Sequence, residues 1–186
     1  MRPRARTLLL LIFSILSAWT VSSRAADSAL SVEYRVKAAY LYNFTRFIEW
    51  PARAHDTADN GKIAICLLGH DPFGPALDLI AGKAVRNSKL TVRRHKSVGE
   101  LNKCHVVFIS TSKQAELGRI LKQLRNRPIL TVGETKNFNK LGGVIRFTLV
   151  KNKVHFNIDP DAAERAQLTV SSKLLNLATI VRESRP

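Results

Sequence analysis

The sequence lacks the motifs that mark the common classes of enzyme. It has no G-x-S-x-G nucleophile motif, and the segment "GHDPFG" (69–74) is followed by Pro75 and Ala76 where a Walker loop needs Lys and Ser or Thr. That segment is not a G-x-G-x-x-G fingerprint either. The 14 acidic residues are too dispersed to suggest a pair of catalytic carboxylates. The sequence therefore predicts a protein that is not an enzyme and holds no cofactor.

Metal-binding residue types are also scarce, with five histidines and two cysteines. No two histidines stand at ligand spacing on one predicted element, so we predict no metal site. Cys66 and Cys104 are expected to form a disulfide if the protein is exported, and two buried free thiols are the alternative. Such a bond closes a loop of about 39 residues.

A long hydrophobic run is absent, apart from one short run near the start. Three arginines precede "LLLLIFSIL", which is about half the ~20 residues that a membrane span needs. Ser23 and Ala25 suit the small-residue positions before a cleavage site. We therefore predict a signal peptide over residues 1–25, cleaved after Ala25, and a single exported domain over residues 26–186. An uncleaved membrane anchor is the alternative.

Positive charge exceeds negative charge, with 30 Lys and Arg against 14 Asp and Glu. In a cytoplasmic protein this excess would suggest nucleic acid. Outside the cytoplasm a basic surface meets anionic headgroups or acidic proteins instead. Basic residues are most concentrated in 91–96 and 112–127. We interpret these stretches as solvated faces, because charged residues are mostly exposed. We predict no nucleic-acid partner.

Strand and helix patterns alternate through the middle of the chain. Apolar runs at 62–69, 105–110 and 128–133 read as buried strands, and the more polar 89–95 reads as a strand nearer an edge. A helix is predicted over 112–126. This alternation predicts an α/β three-layer sandwich, with a mixed, mostly parallel sheet and helices on both faces.

The C-terminal third changes to alternating hydrophobicity. "VIRFTLV" and "VHFNI", joined by "KNK", predict a β-hairpin. Asp159 and Pro160 predict the start of a short helix, as Asp71 and Pro72 do earlier in the chain. A final helix is predicted from Ser171. Its predicted buried residues are Leu174, Leu177 and Val181.

The segment "VKAAYLYNFTRFIEWP" (36–51) predicts a helix from Ser31 to Trp50, which Pro51 stops. Tyr42 points away from the predicted apolar face, and we predict that it binds a partner. Asn43 lies inside that face and either satisfies backbone groups or lines a pocket. We predict that this apolar face packs in the core, and its members are Val36, Ala39, Tyr40, Asn43, Phe44, Phe47 and Trp50.

The first predicted strand is followed by a predicted helix, and the N-termini of helices bind anions. The residues at this junction are Gly69, His70 and Asp71. Together with Asn43 they are the candidate ligand-binding residues. An ordinary tight turn is the alternative.

Six motifs, in order along the chain, resemble the YfiR-like family of periplasmic proteins: "VKAAYLYNFTRFIEWP", "ICLLGHDPFG", "CHVVFIS", "ILTVGE", "GGVIRF" and "SSKLLNLA". The resemblance implies an α/β fold and a regulatory role. It implies a soluble repressor that binds the periplasmic sensor domain of an inner-membrane diguanylate cyclase. Cyclic-di-GMP signalling and biofilm formation would thereby be lowered.

The resemblance has further implications. An outer-membrane lipoprotein with a peptidoglycan-binding domain would be a second partner that sequesters the repressor. Cys66 and Cys104 match a structural disulfide of the family, whereas the second cysteine pair of some relatives is missing here. Gln167 stands where relatives often have Gly, which makes the break between the last two helices less certain. The oligomeric state stays open, with a homodimer among the alternatives.

Two functions therefore follow from the sequence. The leading hypothesis is the periplasmic repressor of a diguanylate cyclase. The alternative is a periplasmic small-ligand sensor or carrier, which a thermal-shift screen would distinguish because a bound ligand raises the melting temperature.

Overall fold

The computed structural model describes residues 19–52 and 61–182, with side chains from Val32 onward. Residues 1–18, which carry most of the predicted signal peptide, lie outside the described residues. Over the described part of the chain, no helix combines the length and the apolar character needed to cross a membrane.

The described helices and strands alternate along most of the chain. The helices are α1 (Trp19–Phe47), α2 (Pro75–Asp78), α3 (Leu117–Leu124), α4 (Pro160–Arg165) and α5 (Ser172–Leu175). The strands are β1 (Ile48–Glu49), β2 (Ile63–Leu68), β3 (Ala84–Val85), β4 (Ser88–His95), β5 (Val106–Ile109), β6 (Leu130–Gly133), β7 (Ile145–Val150), β8 (Lys153–Ile158), β9 (Thr169–Val170) and β10 (Thr179–Ile180).

Eight strands form one sheet in the order β10-β8-β7-β6-β5-β2-β4-β3. The neighbours from β4 to β7 pair in parallel, whereas β7 and β8 form an antiparallel hairpin. Lys151 and Asn152 both have positive φ at the hairpin turn, as a two-residue turn of this kind requires. The sheet confirms the predicted α/β sandwich, mostly parallel with a hairpin near its C-terminal end.

Each face of the sheet buries its own layer of helix. All six residues of β2 are buried, as expected for a parallel strand covered on both sides. On one face, Phe44 of α1 packs with Phe147 and Phe156 of the hairpin. On the other face lies α3, within the predicted helix 112–126, and its four buried residues are Leu117, Ile120, Leu121 and Leu124.

The predicted disulfide is present between Cys66 and Cys104, whose Cα atoms are 5.9 Å apart. Cys66 lies on β2, and Cys104 lies two residues before the start of β5. Since β2 and β5 are parallel neighbours, the bond links two adjacent parts of the sheet.

The first helix differs from its prediction in both length and orientation. It ends at Phe47 because Ile48 and Glu49 pair with Val170 and Thr169 in a separate two-stranded sheet. The predicted core face is wrong in part: Val36 is 39% exposed and Ala39 is also exposed, whereas Phe44 and Trp50 of the same face are buried as predicted. Most of the buried side lies further round the helix, where Tyr34, Ala38 and Leu41 contact the core together with Phe44.

The region after β2 begins its helix later than predicted. α2 starts at Pro75 and has Gly74 as its N-cap. Asp71 instead closes a turn, because its Oδ1 accepts from the N–H groups of Phe73 at 2.7 Å and Gly74 at 3.2 Å.

The predicted final helix is largely wrong. α5 spans only Ser172–Leu175, with Ser171 as its N-cap, and Leu177 is 69% exposed. The chain then adds β10 in parallel to β8, which satisfies backbone groups that an edge strand otherwise leaves unpaired. Leu174 is buried as predicted, and Val181 is half-buried.

Gln167 adopts a backbone conformation that glycine favours. Its φ is 59°, in the left-handed region that follows the end of α4. Its N–H donates to the Glu164 carbonyl at 2.8 Å. The break between the last helices is therefore kept without a glycine.

Candidate partner-binding surface

An apolar groove lies on the side of α1 that faces away from the sheet. Val32 at its edge is 55% exposed, and Val36 at its centre is 39% exposed. The groove has a volume of about 610 Å³. We call it the α1 groove, and its lining residues are Val32, Arg35, Val36, Ala39, Tyr40 and Asn43.

The hairpin continues the apolar surface beside the α1 groove. The Tyr40 ring lies 5.3 Å from that of Phe156 and 6.1 Å from that of Phe147. Side chains alternate along a strand, so Leu149 and Val154 lie on the same face of the hairpin as these two rings, one pair closer to the turn. Leu149 is 51% exposed. The hairpin face against α1 therefore ends in apolar side chains that reach solvent.

The opposite side of α1 is fixed to the sheet by a buried ionic cluster. The Lys37 ammonium contacts the carboxylates of Glu33 and Glu134, with only 4% of the Lys37 side chain exposed. Glu134 directly follows β6. A charge pair buried in this way resists separation, because a single remaining charge would be left without its partner.

Tyr34 completes this cluster. Its hydroxyl donates to Glu134 Oε1 at 2.9 Å, and Lys37 Nζ lies 4.3 Å from the centre of its ring. Burial, followed by the nearby Glu134 carboxylate, raises the pKa of Tyr34 well above its ordinary value of 10.0. Tyr34 therefore remains a hydrogen-bond donor at neutral pH, and it holds this part of α1 in one orientation.

Tyr42 flanks the α1 groove instead of facing free solvent. It stands three residues after Ala39 on the helix, and its side chain is half-buried. Its hydroxyl donates to the Ala84 carbonyl at 2.9 Å, and Lys83 Nζ lies 5.4 Å from its ring centre. These contacts join α1 to the edge strand β3, and the role of Tyr42 in partner binding remains a prediction.

The loop after β2 lies at a position where α/β proteins often bind ligands. α2, which follows β2, packs on the α1 face, whereas α3, which follows β5, packs on the opposite face. The order of the strands therefore reverses between β2 and β5, and ligands bind at such switch points. The predicted ligand residues Gly69, His70 and Asp71 stand here.

The groups of this loop are already engaged within the protein. The Gly69 N–H donates to the His95 carbonyl at 3.1 Å, and the His70 N–H donates to Ser112 Oγ at 2.9 Å. A Cβ on Gly69 would lie 2.5 Å from Ser112 Oγ. Asp71 Oδ2 accepts from Arg94 Nε at 2.7 Å, and this hydrogen bond is the main cause of a raised Arg94 pKa.

The structure therefore separates the two halves of the predicted ligand site. Asn43 lines the α1 groove, whose lining contains none of Gly69, His70 and Asp71. Sequence reasoning missed the Lys37 cluster, although the Glu33–Lys37 spacing of four residues is a recognisable helix ion pair. Glu134 could not be found in this way, because its contact with Lys37 spans 97 positions.

Comparison with protein-family models gives one match, described as YfiR/HmsC-like, over residues 34–179. A comparison with curated proteins finds no match. The family match supports a periplasmic regulator of diguanylate cyclase signalling, with a regulatory rather than a catalytic role. Since the matched residues include α1 from Tyr34, the sheet as far as Thr179 and the disulfide, the chain belongs to the YfiR/HmsC-like family.

Proposed function

We propose that this protein represses a membrane-bound diguanylate cyclase by binding the cyclase's periplasmic sensor domain. The binding lowers cyclic-di-GMP, and with it biofilm formation. The observation that carries the proposal is the α1 groove, which leaves apolar side chains exposed opposite the buried face of the same helix. Exposed apolar patches of this kind mark interaction sites in soluble domains.

The composition of the groove suits a protein partner. Val36 and Ala39 provide an apolar centre, Arg35 provides a charge at the rim, and Tyr40 and Tyr42 flank it on either side. Aromatic residues and arginine are the side chains that most often carry binding energy at protein interfaces. Tyr42 is accordingly proposed as a rim contact.

A rigid support beneath the groove favours repression by a steric mechanism. The Lys37 cluster and the Phe44 contacts fix α1 against the sheet, so the groove is presented in one orientation. Binding the sensor domain in a single arrangement would hold the cyclase dimer away from its active arrangement. Such a shift requires only that the two cyclase states differ in affinity for the repressor.

The family also suggests an outer-membrane, peptidoglycan-binding lipoprotein as a second partner. If that lipoprotein covers the same groove, it releases the cyclase by competition. Small-ligand sensing through Gly69, His70 and Asp71 has less support, because the loop's hydrogen-bonding groups are engaged internally.

A capture experiment with matched variants tests the proposed contact. The purified protein is immobilised and exposed to detergent-solubilised membranes, and the captured proteins are identified by mass spectrometry. Wild-type protein is expected to capture a diguanylate cyclase, whereas Val36→Asp places a charge in the groove and should reduce capture roughly tenfold or more.

Leu79→Asp is the matched control, because Leu79, the residue that follows α2, is 68% exposed and does not line the α1 groove. It is expected to capture the cyclase as well as wild type does. Capture that contains no cyclase, or equal capture by Val36→Asp and wild type, would contradict the proposal.

A further inference from the structure

Three separate elements bring two sulfur atoms and an imidazole together on the α3 side of the sheet. Cys66 lies on β2, His95 ends β4, and Cys104 precedes β5. The two Sγ atoms and a ring nitrogen of His95 all lie within 4.8 Å of one another. Two cysteines and a histidine are the donor types that zinc prefers. Sequence spacing does not indicate this grouping, because the three residues are far apart along the chain.

The His95 ring is held in the manner of a metal ligand. Its Nδ1 lies 3.0 Å from Glu100 Oε2, and Ser97 Oγ donates to Glu100 Oε1 at 2.7 Å. A histidine that donates Nδ1–H to a carboxylate keeps its Nε2 lone pair available for a metal.

The Nε2 atom of His95 is buried without a hydrogen-bond partner among the described residues. Buried polar atoms are nearly always paired, so an unpaired one calls for an explanation such as an absent ion. The neighbouring disulfide sulfurs are weak acceptors, whereas two thiolates at the same positions would be strong metal ligands.

We propose that, when the disulfide is reduced, Cys66, Cys104 and His95 bind a zinc ion. A dithiol supplies the two electrons: the S–S bond breaks, each cysteine sulfur takes a proton from the dithiol, and the dithiol ends as a disulfide. Zn²⁺ then displaces both thiol protons to solvent. The disulfide and the metal therefore exclude each other, and the oxidised protein binds no zinc at this site.

The site needs only local movement to accommodate the ion. Zinc–sulfur bonds of about 2.3 Å in a tetrahedral site place two sulfurs roughly 3.8 Å apart, so the two sulfurs must move apart once the disulfide is broken. The Cα separation of 5.9 Å does not prevent this. A fourth position is left for water, and His95, with 15% of its side chain exposed, gives solvent access.

A groove lies beside the segment that follows His95. It has a volume of about 300 Å³ and is lined by Lys96 and Ser97 among others. Two further basic residues in its lining, Lys113 and Arg119, are both paired with Glu116, which reduces their repulsion of a cation.

Cobalt(II) titration tests the proposal, because thiolate coordination gives Co²⁺ a charge-transfer absorption. The protein is reduced with a dithiol, which is then removed under argon, and Co²⁺ is added to the reduced and oxidised forms. The reduced form is expected to develop the absorption at one equivalent and to lose it on addition of Zn²⁺. The oxidised form is expected to develop none.

Variants separate this site from simple thiol binding. Glu100→Gln is expected to weaken Co²⁺ binding about 10–100-fold, and His95→Ala is expected to weaken it further. His155→Ala is the control, because His155 is exposed on β8, and it should bind like wild type. Circular dichroism shows whether the reduced protein keeps its fold; if it does not, one equivalent of Zn²⁺ must restore the native spectrum.

Three results would overturn the proposal. The first is a reduced protein that develops no thiolate–cobalt absorption. The second is a His95→Ala variant that binds Co²⁺ as tightly as wild type, which would mean binding by the thiols alone. The third is a reduced protein that unfolds and does not regain its spectrum with Zn²⁺.

Discussion

The ammonium group of Lys37 contacts the carboxylate of Glu134, and this ion pair joins α1 to the residue that follows β6. Lys37 is 3% exposed although it is charged, and its neighbours include the Tyr34 ring and the Glu33 carboxylate. The pair fixes the helix whose outer side carries the α1 groove. The packing of α1 and its presentation to a partner are therefore linked.

Replacing Lys37 by Met should destabilise the protein by about 3–5 kcal/mol, because Glu134 and Glu33 would be left without their buried cation. Urea unfolding measures the change. Lys173→Met is the control, since Lys173 is exposed, and it should change the free energy of unfolding by about 0.5 kcal/mol or less.

A double variant distinguishes the ion pair from simple packing. If the Lys37–Glu134 contact stabilises the fold, the double variant Lys37→Met/Glu134→Gln should lose less free energy of unfolding than the two single variants lose in sum. Strictly additive effects would show that the two residues act independently.

The raised pKa of Tyr34 predicts a loss of stability in alkaline solution. The folded protein holds the Tyr34 proton more tightly than the unfolded chain, whose tyrosine pKa is near 10.0. The stabilising contribution is therefore fully present below pH 10.0 and is lost as the pH rises from there towards the folded pKa. Tyr34→Phe should flatten this part of the curve of unfolding free energy against pH. A curve of unchanged slope would contradict the assignment.

Reducing the disulfide should lower the free energy of unfolding by about 4 kcal/mol, because a closed loop of about 39 residues restricts the unfolded chain. The Cys66→Ser/Cys104→Ser variant, compared with wild type in urea, measures this difference. A midpoint that does not move would show that the bond adds nothing to stability.

The two sides of α1 should respond differently to truncation. Phe44 is fully buried between the helix and the hairpin, so Phe44→Ala should cost about 3–5 kcal/mol. Val36→Ala, on the groove side, should cost about 1 kcal/mol or less, because Val36 is 39% exposed. Equal destabilisation by the two changes would mean that the groove face is part of the core.

Much of the sheet could be predicted from local sequence. Fully apolar runs such as Ile63–Leu68 identify buried parallel strands, and the "KNK" turn between alternating segments identifies the hairpin. The Cys66–Cys104 bond followed from cysteine number and the expected export. Each of these features depends on a short segment or a residue pair whose pattern indicates only one structure.

The orientation of α1 could not be predicted because the helix has two apolar sides. Val36 and Ala39 form one stripe, and Ala38 and Leu41 form another, and both have helical spacing. Periodicity alone does not decide which stripe meets the sheet. Long-range contacts, such as that of Tyr34 with Phe73 at 5.1 Å between ring centres, make that choice.

The prediction of a final helix in the C-terminal segment was wrong for a related reason. "KLLNLATIV" has a helical pattern, yet Thr179 and Ile180 pair with Asn157 and Ile158 of β8. A free sheet edge offers backbone partners that no local propensity can anticipate. The Cys66, His95 and Cys104 grouping was hidden in the same way, because its members come from three segments that are far apart along the chain.

The most direct test of the proposed function measures cyclic-di-GMP in cells that lack this gene and carry it back on a plasmid. Deletion is expected to raise cyclic-di-GMP, and the wild-type gene and the Leu79→Asp variant are expected to lower it again. The Val36→Asp variant, exported at an equal level, is expected to leave it high. Unchanged cyclic-di-GMP on deletion, or full repression by Val36→Asp, would contradict repression through the α1 groove.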